Sequence, residues 1–246
     1  FSLDNYADII QNTLRFQEPH PVASYFLQHL WLQVVGHSVY GLRLSSAWFN
    51  LLAVALLYRL AKSMKWPHPT ALWAAFLLAI SPYALWHAQD ARMYSMSMAL
   101  TIATVWAAIE WLQRQRIEYA VAYVLSATLA LYTHYYSAYV LLALYVYVLS
   151  LALYDPRFQN SVINLLSPLF FIVLLYSPWY ERIASVLQTY RGNGDSPGFA
   201  EMFFRAFSTF AIGQPINWME KEFAAAILMV ALLGALLLNF GVNKAQ

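Results

Sequence analysis

No cysteine occurs in the 246 residues, so a disulfide framework and any thiolate metal site are excluded. Charge is scarce as well. Asp, Glu, Lys and Arg make up 11% of the chain, against about a quarter in an ordinary soluble domain. The formal net charge is only +2 and no basic arm is present, so nothing points to a nucleic-acid partner. Gly-rich phosphate loops, nucleotide fingerprints and Ser/His/Asp arrangements are missing too. No basic segment followed by a short apolar core stands at the start, so no signal peptide is visible. The chain opens at Phe1 and is expected to be a piece of a longer membrane protein.

What is present is apolar: 61% of residues are hydrophobic and 17% aromatic. The excess comes in blocks, which argues for several membrane spans rather than one large core. Each block is near the roughly 20 residues that cross a hydrocarbon layer. The blocks are Leu42–Ala61, Thr70–His87, Arg92–Leu112, Tyr119–Tyr135, Tyr136–Tyr154, Ser161–Tyr180 and Glu222–Gly241. The fourth and fifth form one continuous run, split at Thr133-His134-Tyr135-Tyr136-Ser137 because that is its only polar interruption. The expected fold is therefore all-α, a polytopic membrane helix bundle of about seven transmembrane helices, with interfacial helices in its outer loops. The whole chain, 1–246, reads as one transmembrane domain, and residues 1–40 and 181–221 are those outer loops. Within them, Val22–Val35 and Phe199–Ile212 carry apolar residues at helical spacing, as surface-lying helices do.

Basic residues set the orientation. Arg59, Lys62, Lys65, Arg114, Arg116, Arg157 and Lys244 all fall on one side, which should be cytoplasmic, while the short turns of the other side hold only Arg92. Residues 1–40, the Asp90/Arg92 turn, the His134 turn and the 181–221 loop then face outside. Pro82 and Pro178 fall toward the outer ends of their spans, where each should kink its helix and help splay the bundle around a cavity.

The stretch Ser81–Tyr94 sets an ionisable pair, Asp90 and Arg92, between two apolar runs, and such a pair at a membrane surface is a candidate functional site. A guanidinium at the mouth of a bundle suits a phosphate, which it can grip through two bonds. Asp90 has a blander reading as an N-cap accepting from the amides of Arg92 or Met93. His134 sits among Tyr132, Tyr135, Tyr136 and Tyr139, spaced as one helical face, and reads either as a structural histidine or as a phosphate or metal contact. Asp4, Asp8 and Glu18 are carboxylates on the same side. No histidine or carboxylate pair has ligand spacing, so a divalent metal would have to draw on distant segments.

Several strings together resemble the GT-C glycosyltransferases that use polyprenyl-phosphate sugars, relatives of the dolichyl-phosphate-mannose protein mannosyltransferases and the aminoarabinose transferases. His20-Pro21, Tyr25 and Leu27–Trp31 resemble the first-loop HPPLYY…LHLW motif. Gly41–Ala47 is similar to ALRLPSA, Gln89–Tyr94 to QEARMY, Leu131–Tyr136 to LYTHYYG and Ser177-Pro-Trp179 to LPW. The resemblance runs in register over Pro19–Gly213. It departs at Val22, Ala23 and Ser24, which replace Pro, Leu and Tyr, and at Asp90, where the family has Glu.

The resemblance implies a membrane glycosyltransferase. An acceptor on the extracytoplasmic face attacks the sugar of a lipid-phosphate donor with inversion, a first-loop carboxylate acts as base, and basic residues hold the departing phosphate. Carried over residue by residue, it puts Arg92, His134, His20, Tyr25, Gln89, Tyr94 and Tyr136 at the substrate, with Asp90 and Asp4 as the catalytic candidates. The family's acidic pair normally precedes the HPP motif, so the main base is expected upstream of Phe1. The implied partners are the polyprenyl-phosphate sugar donor, an acceptor that is a protein, lipid or glycan, and membrane lipids. The implied location is a bacterial plasma membrane. The alternatives are a lipid-phosphate transporter or flippase using the same pocket for binding alone, and a membrane scaffold subunit.

Overall fold

The computed structural model describes residues 5–15, 20–189 and 198–213, together with Ile227, Met229 and Ala231. The chain divides into two compact units, Phe1–Ala79 with His87–Arg191, and Ile80–Trp86 with Gly192–Gln246. All regular structure among the described residues is helical.

In the first unit, α1 (Tyr6–Arg15) and α2 (Ala23–Val35) precede the long α3 (Val39–Ser63) and α4 (His68–Ala79). α5 (Pro82–Ala88) leads out of the second unit into the Gln89–Met93 turn, followed by α6 (Tyr94–Arg114) and α7 (Ile117–Thr133). Beyond them come α8 (Ser137–Tyr154), α9 (Gln159–Tyr176) and α10 (Tyr180–Thr189). Local chemistry sets several of these ends. Gly36, at φ 86°, closes α2, and the Ser38 hydroxyl accepts from the Gly41 amide at 2.9 Å to start α3. Lys65 and Gln115, both at positive φ, end the α3 and α6 segments. α7 stops at Thr133, so Tyr132, Tyr135, Tyr136 and Tyr139 do not share one helical face as their spacing predicts. The helix α1 was not legible as such, because its sequence is too polar to read as a span.

α6 lies at the centre, packed against α3 on one side and α7 on the other. Small side chains allow the close approach: Gly41, Ser45, Ala53 and Ala61 are buried on α3, and Ser95, Ala99, Ala107 and Ala108 on α6. The Ala107, Ala108, Tyr123, Leu141, Leu144, Leu165 and Ile172 side chains form the main apolar core. Inside it Tyr145 donates to the Leu165 carbonyl at 3.1 Å, so its one proton is used. Tyr123 is therefore the donor in the 3.0 Å bond between the two hydroxyls. Large apolar side chains face outward along the same helices, Leu51, Trp73, Leu125, Leu142 and Phe170 among them, as contact with lipid requires.

Four segments are long and apolar enough to cross a membrane: Val39–Ser63, Tyr94–Arg114, Ser137–Tyr154 and Gln159–Ser185. The pair α4 and α5, broken at the Ser81-Pro82 step, makes a fifth if it counts as one span, and α7 is apolar but shorter. The run expected at Glu222–Gly241 lies outside the described residues.

In the second unit, α11 (Phe199–Ile212) forms over the segment where the Phe spacing predicts it. Glu201 and Arg205 pair along it. Phe210 packs on Tyr83 with ring centroids 5.2 Å apart.

Candidate active site

The Gln89–Met93 turn is held from two sides. The Gln28 side-chain amide on α2 donates to the Ala91 carbonyl at 3.2 Å, and the Ser46 hydroxyl on α3 donates to the Arg92 carbonyl at 3.4 Å. Trp31 ties α2 to α3 by donating to the Gly41 carbonyl at 2.7 Å. The face of α2 that turns inward is Ser24, Gln28 and Leu32, while Leu30 and Val34 are exposed. Leu30 and Val34 of the Val22–Val35 apolar stripe thus point away from the bundle, Phe26 and Trp31 pack partly into it, and a partly polar stripe points in. The reason is that the turn offers carbonyl groups rather than apolar surface.

On that turn Arg92 is exposed, and its Nε lies 3.9 Å from the Asp90 carboxylate. Asp90 does not cap α6. The N-cap position is Met93, with no side-chain bond. Gln89 is exposed beside them.

From Tyr94, the first residue of α6, aromatic and imidazole rings run across the same end of the unit. The Tyr94 ring lies 4.4 Å from His87 and 5.9 Å from His134, and His134 lies 6.0 Å from His20 and 5.0 Å from Tyr136, centroid to centroid. Four separate segments meet there: the end of α5, the start of α6, the α7–α8 turn and the turn before α2. The Tyr136 amide donates to His134 Nδ1 at 3.2 Å. A ring nitrogen that accepts carries no proton, so neutral His134 keeps its hydrogen on Nε2 and can donate from there. Burial holds the His134 pKa below the ordinary histidine value, and the neighbouring His20 adds to that shift.

A second layer supports this row. Tyr25, Tyr132, Tyr135 and Tyr176 pack against a buried cluster of Ile9, Val22 and Trp179. The Trp179 indole donates to the Tyr135 hydroxyl at 3.1 Å, and Tyr132 donates to the Leu175 carbonyl at 3.1 Å. The buried Arg182 donates to the Thr13 carbonyl at 3.1 Å and so pins α1 to α10. Burial pushes the Tyr135 phenol up.

The structure therefore brings His20, Tyr94, His134 and Tyr136 into one row, with Asp90, Arg92 and Gln89 on the turn that leads into it and Tyr25 in the layer behind. Asp4 and Glu18 lie outside the described residues, and Asp8 is exposed on α1. Among the described residues, no three His, Asp or Glu side chains form a metal-binding group. Sequence reading missed His87, Gln28 and Ser46. The polar i, i+4 spacing of Ser24 and Gln28 was the available signal for the second of these.

The opposite end of the unit is built differently. Buried Glu110 accepts from the Ser63 hydroxyl and from Arg114 Nε. Gln113 donates to the Ser63 carbonyl at 3.0 Å, and Trp111 to the Asn164 carbonyl at 2.8 Å. A His–Tyr pair stands there instead of a row: Tyr58 and His68, with ring centroids 6.0 Å apart and 3.1 Å between the hydroxyl and Nδ1.

Residues 19–180 match the family described as dolichyl-phosphate-mannose-protein mannosyltransferase. That span holds the Gln89–Met93 turn, the His134 turn, His20 and most of the bundle. No curated protein and no solved structure matches the chain.

Proposed function

Because the chain belongs to the dolichyl-phosphate-mannose-protein mannosyltransferase family, a family of membrane glycosyltransferases of the GT-C type, we propose that it transfers a sugar from a polyprenyl-phosphate donor to an acceptor at the His–Tyr end of the bundle, on the extracytoplasmic face. The observation that carries this reading is the anchored turn. Gln28 and Ser46 fix the backbone on which Arg92 stands, and that turn runs directly into the ring cluster of Tyr94, His134 and His20.

The reaction is an inverting displacement. The acceptor oxygen attacks the anomeric carbon, the bond from that carbon to the phosphate oxygen breaks, and the lipid phosphate leaves with the charge. The acceptor's proton passes to a carboxylate of the first loop. Charge that builds on the leaving phosphate needs donors already in place. Arg92 supplies them from an exposed side chain whose ionic neighbour, Asp90, is at 3.9 Å. Asp90 orients the guanidinium rather than taking the acceptor's proton. Neutral His134 donates from Nε2 to a phosphate or sugar oxygen, and His20, Tyr25, Gln89, Tyr94 and Tyr136 shape the pocket around it. The face assignment follows from the cations: Arg59, Lys62, Lys65, Arg114 and Arg116 gather at the other end, which is cytoplasmic by the positive-inside rule.

The test is release of free polyprenyl phosphate from a polyprenyl-phosphate sugar by the full protein in nanodiscs. Wild-type turnover with loss in Arg92→Ala is the expected result. Donor binding without turnover would support the transporter reading instead, and full turnover in Arg92→Ala would overturn the role given to that arginine.

A further inference from the structure

The cationic end of the bundle carries charge that its own carboxylates do not balance. Five cations stand at the ends of α3 and α6 and in the connections that follow them: Arg59, Lys62, Lys65, Arg114 and Arg116. Two are matched. Glu110 takes Arg114, and Glu118 pairs with Arg116 at 2.5 Å. The three left over are all exposed and all lie at the end of α3 or just past it. Lys62 donates to the Trp66 carbonyl at 3.4 Å, which orients the ammonium without cancelling its charge. The Arg59 guanidinium lies 5.7 Å from the centre of the Trp106 ring, which holds it in place and likewise leaves its charge intact.

These cations also end an apolar track. Trp48, Leu51 and Ala55 are exposed on α3 at spacings of three and four, so they line one outward face, and Arg59 and Lys62 continue that face at its end. An acyl chain laid along the track would bring a headgroup phosphate level with the two cations. We propose that this end of α3 binds an anionic phospholipid, with its phosphate between Arg59 and Lys62 and an acyl chain along Trp48, Leu51 and Ala55. The site is separate from the proposed donor site, since Arg92 stands at the opposite end of the bundle. A cation near a membrane surface strengthens anionic-lipid binding by about fivefold. The exposed, oriented pair therefore sets the preference for an anionic over a zwitterionic headgroup, and the apolar track makes the ligand a lipid rather than a free phosphate.

The full chain in detergent, titrated with phosphatidylglycerol and phosphatidylcholine of equal acyl length and read by native mass spectrometry, tests this. Phosphatidylglycerol should bind about tenfold tighter or more, Lys62→Gln should cut that preference about fivefold, and Arg59→Gln with Lys62→Gln should bring it to within about twofold of unity. Arg116→Gln with Glu118→Gln, which removes a balanced pair, should leave it unchanged, and so should Arg92→Ala. A wild-type protein without headgroup preference would overturn the proposal. So would a preference that survives in the double variant, one that disappears in Arg92→Ala, or displacement of the lipid by millimolar glycerol phosphate. Lys62 is exposed, so the single variant keeps the test decisive if the double variant does not fold.

Discussion

Gln28→Met is the sharpest test of how the candidate site is held. Methionine keeps the length and most of the volume of the side chain, so packing on α2 changes little. What it removes is the donor to the Ala91 carbonyl at 3.2 Å. Gln28 is 7% exposed, so that carbonyl does not simply regain full hydration when the amide goes. Leaving a part-buried acceptor without its partner costs about 1–2 kcal/mol. The other side-chain tie on the turn, Ser46 to the Arg92 carbonyl, and the bond from the Asp90 amide to the His87 carbonyl are each 3.4 Å long and weak. If the turn must re-form before Arg92 can meet the donor phosphate, this cost enters kcat/KM in full, a loss of about five- to thirtyfold. Ser46→Ala should cost less, about twofold, because its bond is near the limit of hydrogen-bond geometry. The assay is donor-concentration dependence of polyprenyl phosphate release by wild type, both single variants and the double variant. A Gln28→Met enzyme within about threefold of wild type would refute the anchoring. So would a Ser46→Ala effect larger than that of Gln28→Met.

Three further outcomes are expected. Glu110→Ala leaves the half-exposed Arg114 without its carboxylate and the Ser63 hydroxyl with the Arg59 carbonyl as acceptor; a melt in detergent should show a loss of about 1–2 kcal/mol, while specific activity of the surviving folded protein stays near wild type because the site is at the other end. Asp90→Asn should change stability by less than about 1 kcal/mol, since the ion pair is long and its partners exposed, but it should lower kcat/KM measurably less than Arg92→Ala does. His134 is held below the ordinary histidine value of 6.5 by burial and by His20. The unfolded chain therefore binds its proton more readily, so the stability tied to His134 is complete above that value and is lost as pH falls from 6.5 through the lowered folded value. Thermal melts across pH 5–8 should show that loss, and His134→Gln should flatten it.

The length and spacing of apolar runs were enough to read an all-helical membrane bundle, because a helix that crosses lipid must satisfy its own backbone and carry its apolar character in one continuous block. Those properties are local. Run length placed α3, α6, α8 and α9 within a few residues of where they lie, Pro82 marked the break between α4 and α5, and the phenylalanine spacing marked α11. The motif strings identified the family for the same reason, since each is a short stretch that keeps its residue types in order. They also named Arg92, His134, His20 and Tyr94, but as separate points along the chain. The tertiary structure decided that Tyr94 and His134 are ring neighbours, that His87 joins them, and that a glutamine on α2 holds the arginine's turn by its backbone. A hydrogen bond between residues 63 positions apart leaves no period in the sequence, and a polar side chain on an apolar helix has the same composition whether it faces water or a buried carbonyl. The buried Glu110 is of the same kind. In sequence it is one more acid at the end of a span, and only the packing of α3 on α6 brings Ser63 to it.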